Sequence, residues 1–171
     1  MNNFSSFLFF ITSLNSPSLW NIYKTALMVN NTFSFITTSL IITLCFPFQQ
    51  NQVANLKQKR IEANFLNSTQ TNKEAIMNDL LKKTPQTKLL YITPEMITLS
   101  SNAIKSLKSL YARNLLSMIV VDEAHCISTW GHDFRSSYRK LSMLRSIFPK
   151  TPIMVQTNKR KNSLFFLNFI L

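Results

Sequence analysis

The chain has 171 residues, enough for one domain with a hydrophobic core. Its 19 Lys and Arg against 7 Asp and Glu give a net charge of +12, which favours a polyanionic partner, either nucleic acid or an anionic membrane surface. Two cysteines without paired spacing indicate neither a disulfide framework nor a zinc cluster, and a single glycine, Gly131, excludes a complete glycine-rich phosphate-binding loop.

The first 48 residues differ in composition from the rest of the chain. They contain 8 of the 14 phenylalanines, interleaved with Ser, Thr and Asn, and they show no sustained helical or strand period, so we treat the order of this segment as uncertain. Residues 33–46 form an uncharged apolar run with three open interpretations: a membrane span, a buried strand, or mistranslated sequence. The hydroxyl side chains within the run and Pro47 after it argue against a span.

From residue 49 onward, apolar strand patterns alternate with helical patterns. This alternation predicts an α/β fold with a parallel sheet flanked by helices. The predicted elements, in chain order, are a helix at 52–59, a strand at 61–66, a helix from about 71, a strand at 88–92 stopped by Thr93-Pro94, a helix at 101–111, a strand at 118–121, a helix at 138–147 and a strand at 153–155.

The helix that starts near residue 71 has the clearest sequence signals. Thr71 and Glu74 have the spacing of a capping box, in which the two side chains satisfy backbone amides at the helix start. The predicted helix ends at Lys82-Lys83, with Pro85 beyond it. Its apolar face is predicted to consist of Ile76, Met77, Leu80 and Leu81.

An apolar strand that ends in two adjacent carboxylates, Asp122 and Glu123, is the first candidate for chemistry. A parallel sheet places such residues at its carboxyl edge, where open α/β sheets bind ligands. Asp122 would hold magnesium through water, and Glu123 would orient or deprotonate an attacking water. The alternative is that both acids simply favour the N-terminus of a following helix.

The longer run from Asp122 to Arg135, DEAHCISTWGHDFR, resembles the second motif and the aromatic-rich loop of RecQ-family DNA helicases. The resemblance covers about residues 52–155, and the stretch from Pro85 to Met96 is most similar to the animal branch usually numbered five. It implies a partial first RecA-like domain of the P-loop NTPase type, with ATP and magnesium as cofactors. No zinc is expected, because the sequence lacks the zinc-binding module of many family members. The resemblance also implies 3′–5′ DNA helicase activity in recombination and repair, in the nucleus, on single-stranded or tailed duplex DNA, alongside other recombination and repair proteins.

The same resemblance assigns residue roles. Asp122, Glu123 and His125 would act in catalysis, with His125 coupling the nucleotide to the DNA site. Thr93, Pro94 and Glu95 match the motif that touches the DNA backbone. The loop that senses single-stranded DNA would contain Trp130, His132, Phe134 and Arg135. An indole and a phenyl ring can stack on unpaired bases and an arginine can pair with phosphate, although core packing is the alternative for both rings.

The sequence departs from the family at both ends. No glycine-rich phosphate-binding loop is found in residues 1–50, the match fails after Ile153-Met154, and the second motor domain is missing. We therefore expect a truncated product without helicase activity and with little ATPase activity. The alternatives are a non-catalytic single-stranded DNA-binding fragment and a small membrane-anchored protein. The expected segments are 1–48, of uncertain order, 49–157, the partial motor domain, and 158–171, a tail foreign to the family.

Overall fold

The computed structural model describes residues 38–42, 46–122, 136–156 and 164–165, all within the compact unit Phe35–Leu171. These residues form six strands: β1 (Thr38–Ile42), β2 (Ala63–Leu66), β3 (Leu89–Ile92), β4 (Leu116–Val121), β5 (Ile153–Gln156) and β6 (Leu164–Phe165). They also form six α-helices: α1 (Phe46–Gln58), α2 (Lys73–Leu81), α3 (Pro94–Leu99), α4 (Ser101–Ala112), α5 (Ser136–Arg139) and α6 (Met143–Ile147). A 3₁₀ turn (Lys140–Ser142) joins α5 to α6.

The strands form one sheet in the order β2-β3-β1-β4-β5-β6. The first five are parallel and β6 pairs antiparallel to β5, which confirms the predicted α/β class. In the register of the central strands, Ile42 of β1 is level with Ile92 of β3 and with Val121 of β4. The carboxyl ends of these three strands therefore lie together at one edge of the sheet, where Thr93 follows β3 and Asp122 follows β4.

Buried side chains project alternately from the two faces of the sheet, so both faces are covered. Buried residues of β1, β3, β4 and β5 form one apolar cluster with helices α2, α3, α4 and α6 and with Tyr138. The intervening residues Tyr91, Val120 and Met154 are also buried but lie outside this cluster, as expected for side chains on the opposite face. Burial on both faces explains why the parallel strands are almost continuously apolar.

The apolar run at residues 33–46 contributes strand β1, in which Thr38, Leu40 and Ile42 are fully buried. This confirms the buried-strand interpretation for Thr38–Ile42. No helix among the described residues combines the length and apolarity that crossing a membrane requires. Strands β1 and β6 lie outside residues 49–157, so the sheet extends beyond that range, and the division of the chain into three segments stays a prediction.

Helix α2 begins later than predicted, and the capping-box prediction is wrong. Its N-cap is Asn72, without a side-chain cap hydrogen bond, which leaves Thr71 outside the helix and places Glu74 too early to complete the motif. The predicted apolar face is correct for Ile76 and Leu80, which are one helical turn apart and buried. It is wrong for Leu81, which is 50% exposed because it is rotated away from that stripe at the end of the helix.

The helix predicted over residues 138–147 is divided into α5, the 3₁₀ turn and α6. Tyr138, Leu141 and Leu144 are spaced by three residues and are all fully buried. A tighter turn of three residues keeps side chains at this spacing on one face, whereas a regular α-helix would rotate them progressively. The short helical segments therefore keep this apolar stripe directed at the core.

Candidate functional site at the carboxyl edge of the sheet

Polar residues follow three of the parallel strands at the carboxyl edge: Asn67 after β2, Thr93 after β3 and Asp122 after β4. Backbone hydrogen bonds fix two of them to neighbouring strands. The amide of Thr93 donates to the carbonyl of Leu66 at 3.3 Å, and the amide of Asp122 donates to the carbonyl of Ile42 at 2.9 Å. The residues predicted to carry chemistry at the ends of β3 and β4 therefore share one edge.

The Thr93-Pro94-Glu95 segment forms the start of helix α3. The hydroxyl oxygen of Thr93 accepts a hydrogen bond from the amide of Met96 at 3.3 Å, so Thr93 is the N-cap. Pro94 occupies the first turn, where its fixed φ and missing amide hydrogen cost nothing. The Thr93 oxygen thus has a structural role, while its hydroxyl hydrogen can still donate to a phosphate oxygen.

Two consecutive residues of α5 connect the ends of β3 and β4. The hydroxyl of Ser137 donates to the Oε1 atom of Glu95 at 2.7 Å. The hydroxyl of Tyr138, whose ring is fully buried, donates to the backbone carbonyl of Asp122 at 2.9 Å. The sequence interpretation missed both residues. The available signal was Tyr138 itself, because a tyrosine on an apolar stripe usually has a partner for its hydroxyl.

Tyr91, in the middle of the predicted buried strand, is influenced electrostatically by Asp122, which the sequence interpretation did not anticipate. It is buried in β3. Burial raises the pKa of its hydroxyl, and the negative charge of Asp122 raises it further. The phenol therefore stays protonated at physiological pH and is a hydrogen-bond donor in the electrostatic range of the Asp122 carboxylate.

The remaining predicted site residues lie outside the described residues: Glu123, His125, Trp130, His132, Phe134 and Arg135. Within the described ranges, no group of three or more His, Cys, Asp or Glu side chains is arranged to hold a metal ion. A single partly exposed carboxylate such as Asp122 nevertheless fits magnesium, which keeps much of its water and often uses one or two carboxylates together with substrate phosphates.

Comparison with known proteins agrees with this geometry. Residues 37–166 match the DEAD/DEAH box helicase family model, which covers more than half of the chain. The chain belongs to the DEAD/DEAH box helicase family.

Relatives within this family include RecQ helicases, which confirms the predicted resemblance to the RecQ family. The RecQ-like DNA helicase BLM of Xenopus laevis is 45% identical over 109 residues, 63% of this chain and 8% of the relative. The ATP-dependent DNA helicase Q5 of Rattus norvegicus is 43% identical over 122 residues, 70% of this chain and 12% of the relative. The ATP-dependent DNA helicase RecQ of Haemophilus influenzae is 40% identical over 121 residues, 70% of this chain and 18% of the relative.

The chain therefore spans less than a fifth of the length of these three relatives. The two vertebrate relatives have similar identities, so assignment to the branch numbered five stays a prediction.

Proposed function

We propose that this chain is part of the first motor domain of a RecQ-like ATP-dependent 3′–5′ DNA helicase. Its DNA unwinding would serve recombination and repair in the nucleus, together with other proteins of those processes. The observation that carries the proposal is Asp122 at the carboxyl edge of the parallel sheet, level with the Thr93-Pro94-Glu95 segment, in a chain of the DEAD/DEAH box family.

The proposed cofactors are ATP and magnesium. Asp122 would hold the ion through water, Glu123 would orient or deprotonate the water that attacks the terminal phosphate, and His125 would couple the nucleotide to the DNA site. Bound magnesium would neutralise negative charge on the phosphates. The Tyr138 hydroxyl fixes the Asp122 backbone through its hydrogen bond to the carbonyl.

The proposed DNA contacts lie beside this site. Thr93, Pro94 and Glu95 would lie against the DNA backbone, with the Thr93 hydroxyl donating to a phosphate. Trp130 and Phe134 would stack on unpaired bases, and His132 and Arg135 would pair with phosphate or with the nucleotide. The substrate class would be single-stranded DNA or a duplex with a single-stranded tail.

We expect the 171-residue polypeptide alone to have little ATPase activity and no helicase activity. A glycine-rich loop that wraps the phosphates uses several glycines, which adopt positive φ and let the backbone approach the anion, and Gly131 is the only glycine of this polypeptide. The same observation favours a second candidate function, non-catalytic binding of single-stranded DNA.

The two candidates are separated by measuring ATP hydrolysis and single-stranded DNA affinity on the same sample between 50 and 200 mM salt, about the range over which phosphate contacts alone change affinity steeply. Turnover that disappears in Glu123→Gln selects the enzyme. Salt-dependent binding without turnover selects the binding fragment. A sample that does neither contradicts both, and one that unwinds a tailed duplex with ATP contradicts the expected deficiency of the isolated chain.

A further inference from the structure

The topology gathers basic residues at the amino edge of the sheet, opposite the candidate site. In a parallel sheet each connecting helix runs back from the carboxyl edge, so helices α1, α2 and α4 end at the amino edge. The basic residues at or just after these helix ends, or just before the next strand, are Lys57, Lys59, Arg60, Lys82, Lys83, Lys88 and Arg113. We call these seven residues the amino-edge surface.

Contacts show that the segments carrying this surface adjoin one another. Lys57 Nζ lies 3.4 Å from Asn64 Oδ1, and the Asn64 amide donates to Thr87 Oγ1 at 2.8 Å. The Thr87 hydroxyl donates to Asp79 at 2.9 Å, and Asp79 pairs with Lys82 at 3.2 Å. A continuous chain of contacts therefore joins the end of α1 to the end of α2 across strands β2 and β3.

Arg113 extends the surface to the end of α4. Its guanidinium donates to the carbonyls of Leu80, at 2.6 Å, and Lys82, and its Nε atom donates to the carbonyl of Ser109 at 2.9 Å. The bonds to Leu80 and Lys82 satisfy carbonyls at the C-terminus of α2, where carbonyls lack intrahelical partners. Arg113 therefore holds α2 and α4 together and keeps Lys82 and Lys83 beside the end of α4.

The amino-edge surface has few acids to offset its charge. Its segments contain two acidic residues, Glu62 and Asp79, against seven basic ones. The Asp79 carboxylate already accepts hydrogen bonds from the amides of Gln86 and Thr87 and from the Thr87 hydroxyl. By contrast, the described residues at the carboxyl edge include the acids Glu74, Glu95 and Asp122. Seven basic residues of the described fold therefore lie at the edge away from the candidate catalytic site, with few acids among them.

We propose that the amino-edge surface binds the phosphate backbone of duplex DNA, separately from single-stranded DNA at the carboxyl edge. The exposed cations Lys57, Lys59, Arg60, Lys82 and Lys83 suit phosphate contacts without base reading. Segments 57–62 and 79–88 contain no aromatic residue, so they offer no platform for stacking unpaired bases. This favours a duplex over a single strand. The inference does not depend on ATP hydrolysis at Asp122.

The test compares two triple variants of the full chain with equal loss of charge. Lys57→Gln, Lys82→Gln and Lys83→Gln alter the amino-edge surface, and Lys105→Gln, Lys108→Gln and Lys140→Gln alter exposed lysines elsewhere. Binding of a labelled blunt duplex and of a short single strand is measured over a range of salt. We expect the amino-edge variant to lose about tenfold or more in duplex affinity with a shallower salt dependence, and the matched variant to lose about twofold or less.

Single-strand affinity should stay within about twofold in the amino-edge variant, since the proposal assigns that ligand to the carboxyl edge. Absence of single-strand binding by the unmodified chain, with duplex binding intact, would count against the proposed function and leave the amino-edge surface standing. Equal loss of duplex binding in both variants, or absence of duplex binding by the unmodified chain, overturns the inference. Tighter binding of poly-glutamate than of the duplex, at equal charge and salt, would instead favour an acidic protein as the partner and overturn the inference.

Lysine acetylation of the unmodified chain gives a readout that does not require a variant to fold. Duplex DNA should protect Lys57, Lys59, Lys82 and Lys83 from acetylation and leave Lys105 and Lys108 as reactive as without DNA. Protection of Lys105 and Lys108 without protection of the amino-edge lysines would place the duplex elsewhere and overturn the inference.

Discussion

Replacing Tyr138 with phenylalanine tests the contact that fixes Asp122. The substitution keeps an aromatic ring of nearly the same size in a site that is fully buried, and it removes only the hydroxyl that donates to the Asp122 carbonyl at 2.9 Å. It therefore isolates the hydrogen bond from the packing of the ring. Tyr138→Ala removes both and serves as the comparison.

The expected loss follows from the environment of the bond. A hydrogen bond contributes about 0.5–1.5 kcal/mol net, and removing the donor from a buried acceptor costs about 1–3 kcal/mol. The Asp122 carbonyl lies at the end of a strand, beside a partly exposed side chain, so we expect about 1–2 kcal/mol for Tyr138→Phe. Tyr138→Ala should cost about 3–5 kcal/mol because it also leaves a cavity among Leu141, Leu144 and the other buried residues.

Urea unfolding followed by circular dichroism gives both free energies, with an unchanged slope expected for Tyr138→Phe. Ser142→Ala is the matched control, since the Ser142 hydroxyl donates to the Arg139 carbonyl at 3.0 Å within the same helical region but at an exposed position. It should cost less than about 0.5 kcal/mol. The reasoning is refuted if Tyr138→Phe costs no more than this control, or as much as Tyr138→Ala.

Three further predictions concern contacts of the described fold. Arg113→Ala should lower the free energy of unfolding by about 2–3 kcal/mol. Arg113→Lys should recover only part of this loss, because an ammonium group cannot span the same carbonyls. Full recovery by Arg113→Lys in urea unfolding would contradict the reasoning. Burial raises the pKa of Asp79, but hydrogen bonds from Thr87, Gln86 and Lys82 outweigh it and hold the pKa below its usual range. Asp79→Asn should therefore reduce the free energy of unfolding by its full amount above about pH 4–5, and by less as the pH falls through the depressed pKa of Asp79. A reduction that stays constant down to about pH 2 would contradict the assignment. A double-mutant cycle of Ser137→Ala and Glu95→Ala should give a coupling energy of roughly 0.5–2 kcal/mol, whereas additive effects would show that their 2.7 Å contact contributes nothing.

Strands β3 and β4 could be predicted from the sequence because burial on both faces makes them continuously apolar, and Thr93-Pro94 ends one while Asp122 ends the other. Helix α3 was not predicted, although Thr93 followed by Pro94 and Glu95 is a typical helix start. The same residues end a strand and begin a helix. The helix start was overlooked because α3 is only six residues long.

Strand β1 shows where local composition is insufficient. A central strand and a membrane span are both apolar and uncharged, and they differ in what surrounds them. Thr38–Ile42 is a strand because β3 and β4 pair with it on both sides, from residues about 50 and 80 positions further along the chain. The buried Thr38 hydroxyl is satisfied by the carbonyl of Thr87 at 2.7 Å, a partner that its own segment does not supply. Such pairing cannot be read from residues 33–46 alone.

In the candidate site, too, some residues can be predicted from their neighbours in sequence, whereas others depend on contacts with distant parts of the chain. Asp122 could be identified from its position after an apolar strand, whereas its contact with Tyr138 spans 16 residues and the contact between Glu95 and Ser137 spans 42. Tyr138 begins the helix that the sequence predicted without a functional role, and Ser137 directly precedes it. Partners of this kind depend on how α5 packs against α3 and β4, and the folded structure was needed to find them.

The net charge of +12 favours nucleic-acid binding by the chain as a whole, and the fold shows which surfaces carry the basic residues. At the described carboxyl edge, the acids Glu74, Glu95 and Asp122 are offset in part by Lys73 and by Arg139 of α5, whereas the end of α1 and the end of α2 carry mostly lysine and arginine. The proposed DNA contacts beside Asp122 would therefore rely on the Thr93 hydroxyl and the aromatic-rich run more than on general attraction from the described residues there. Non-specific attraction belongs to the opposite edge, so salt should weaken duplex binding more steeply than single-strand binding.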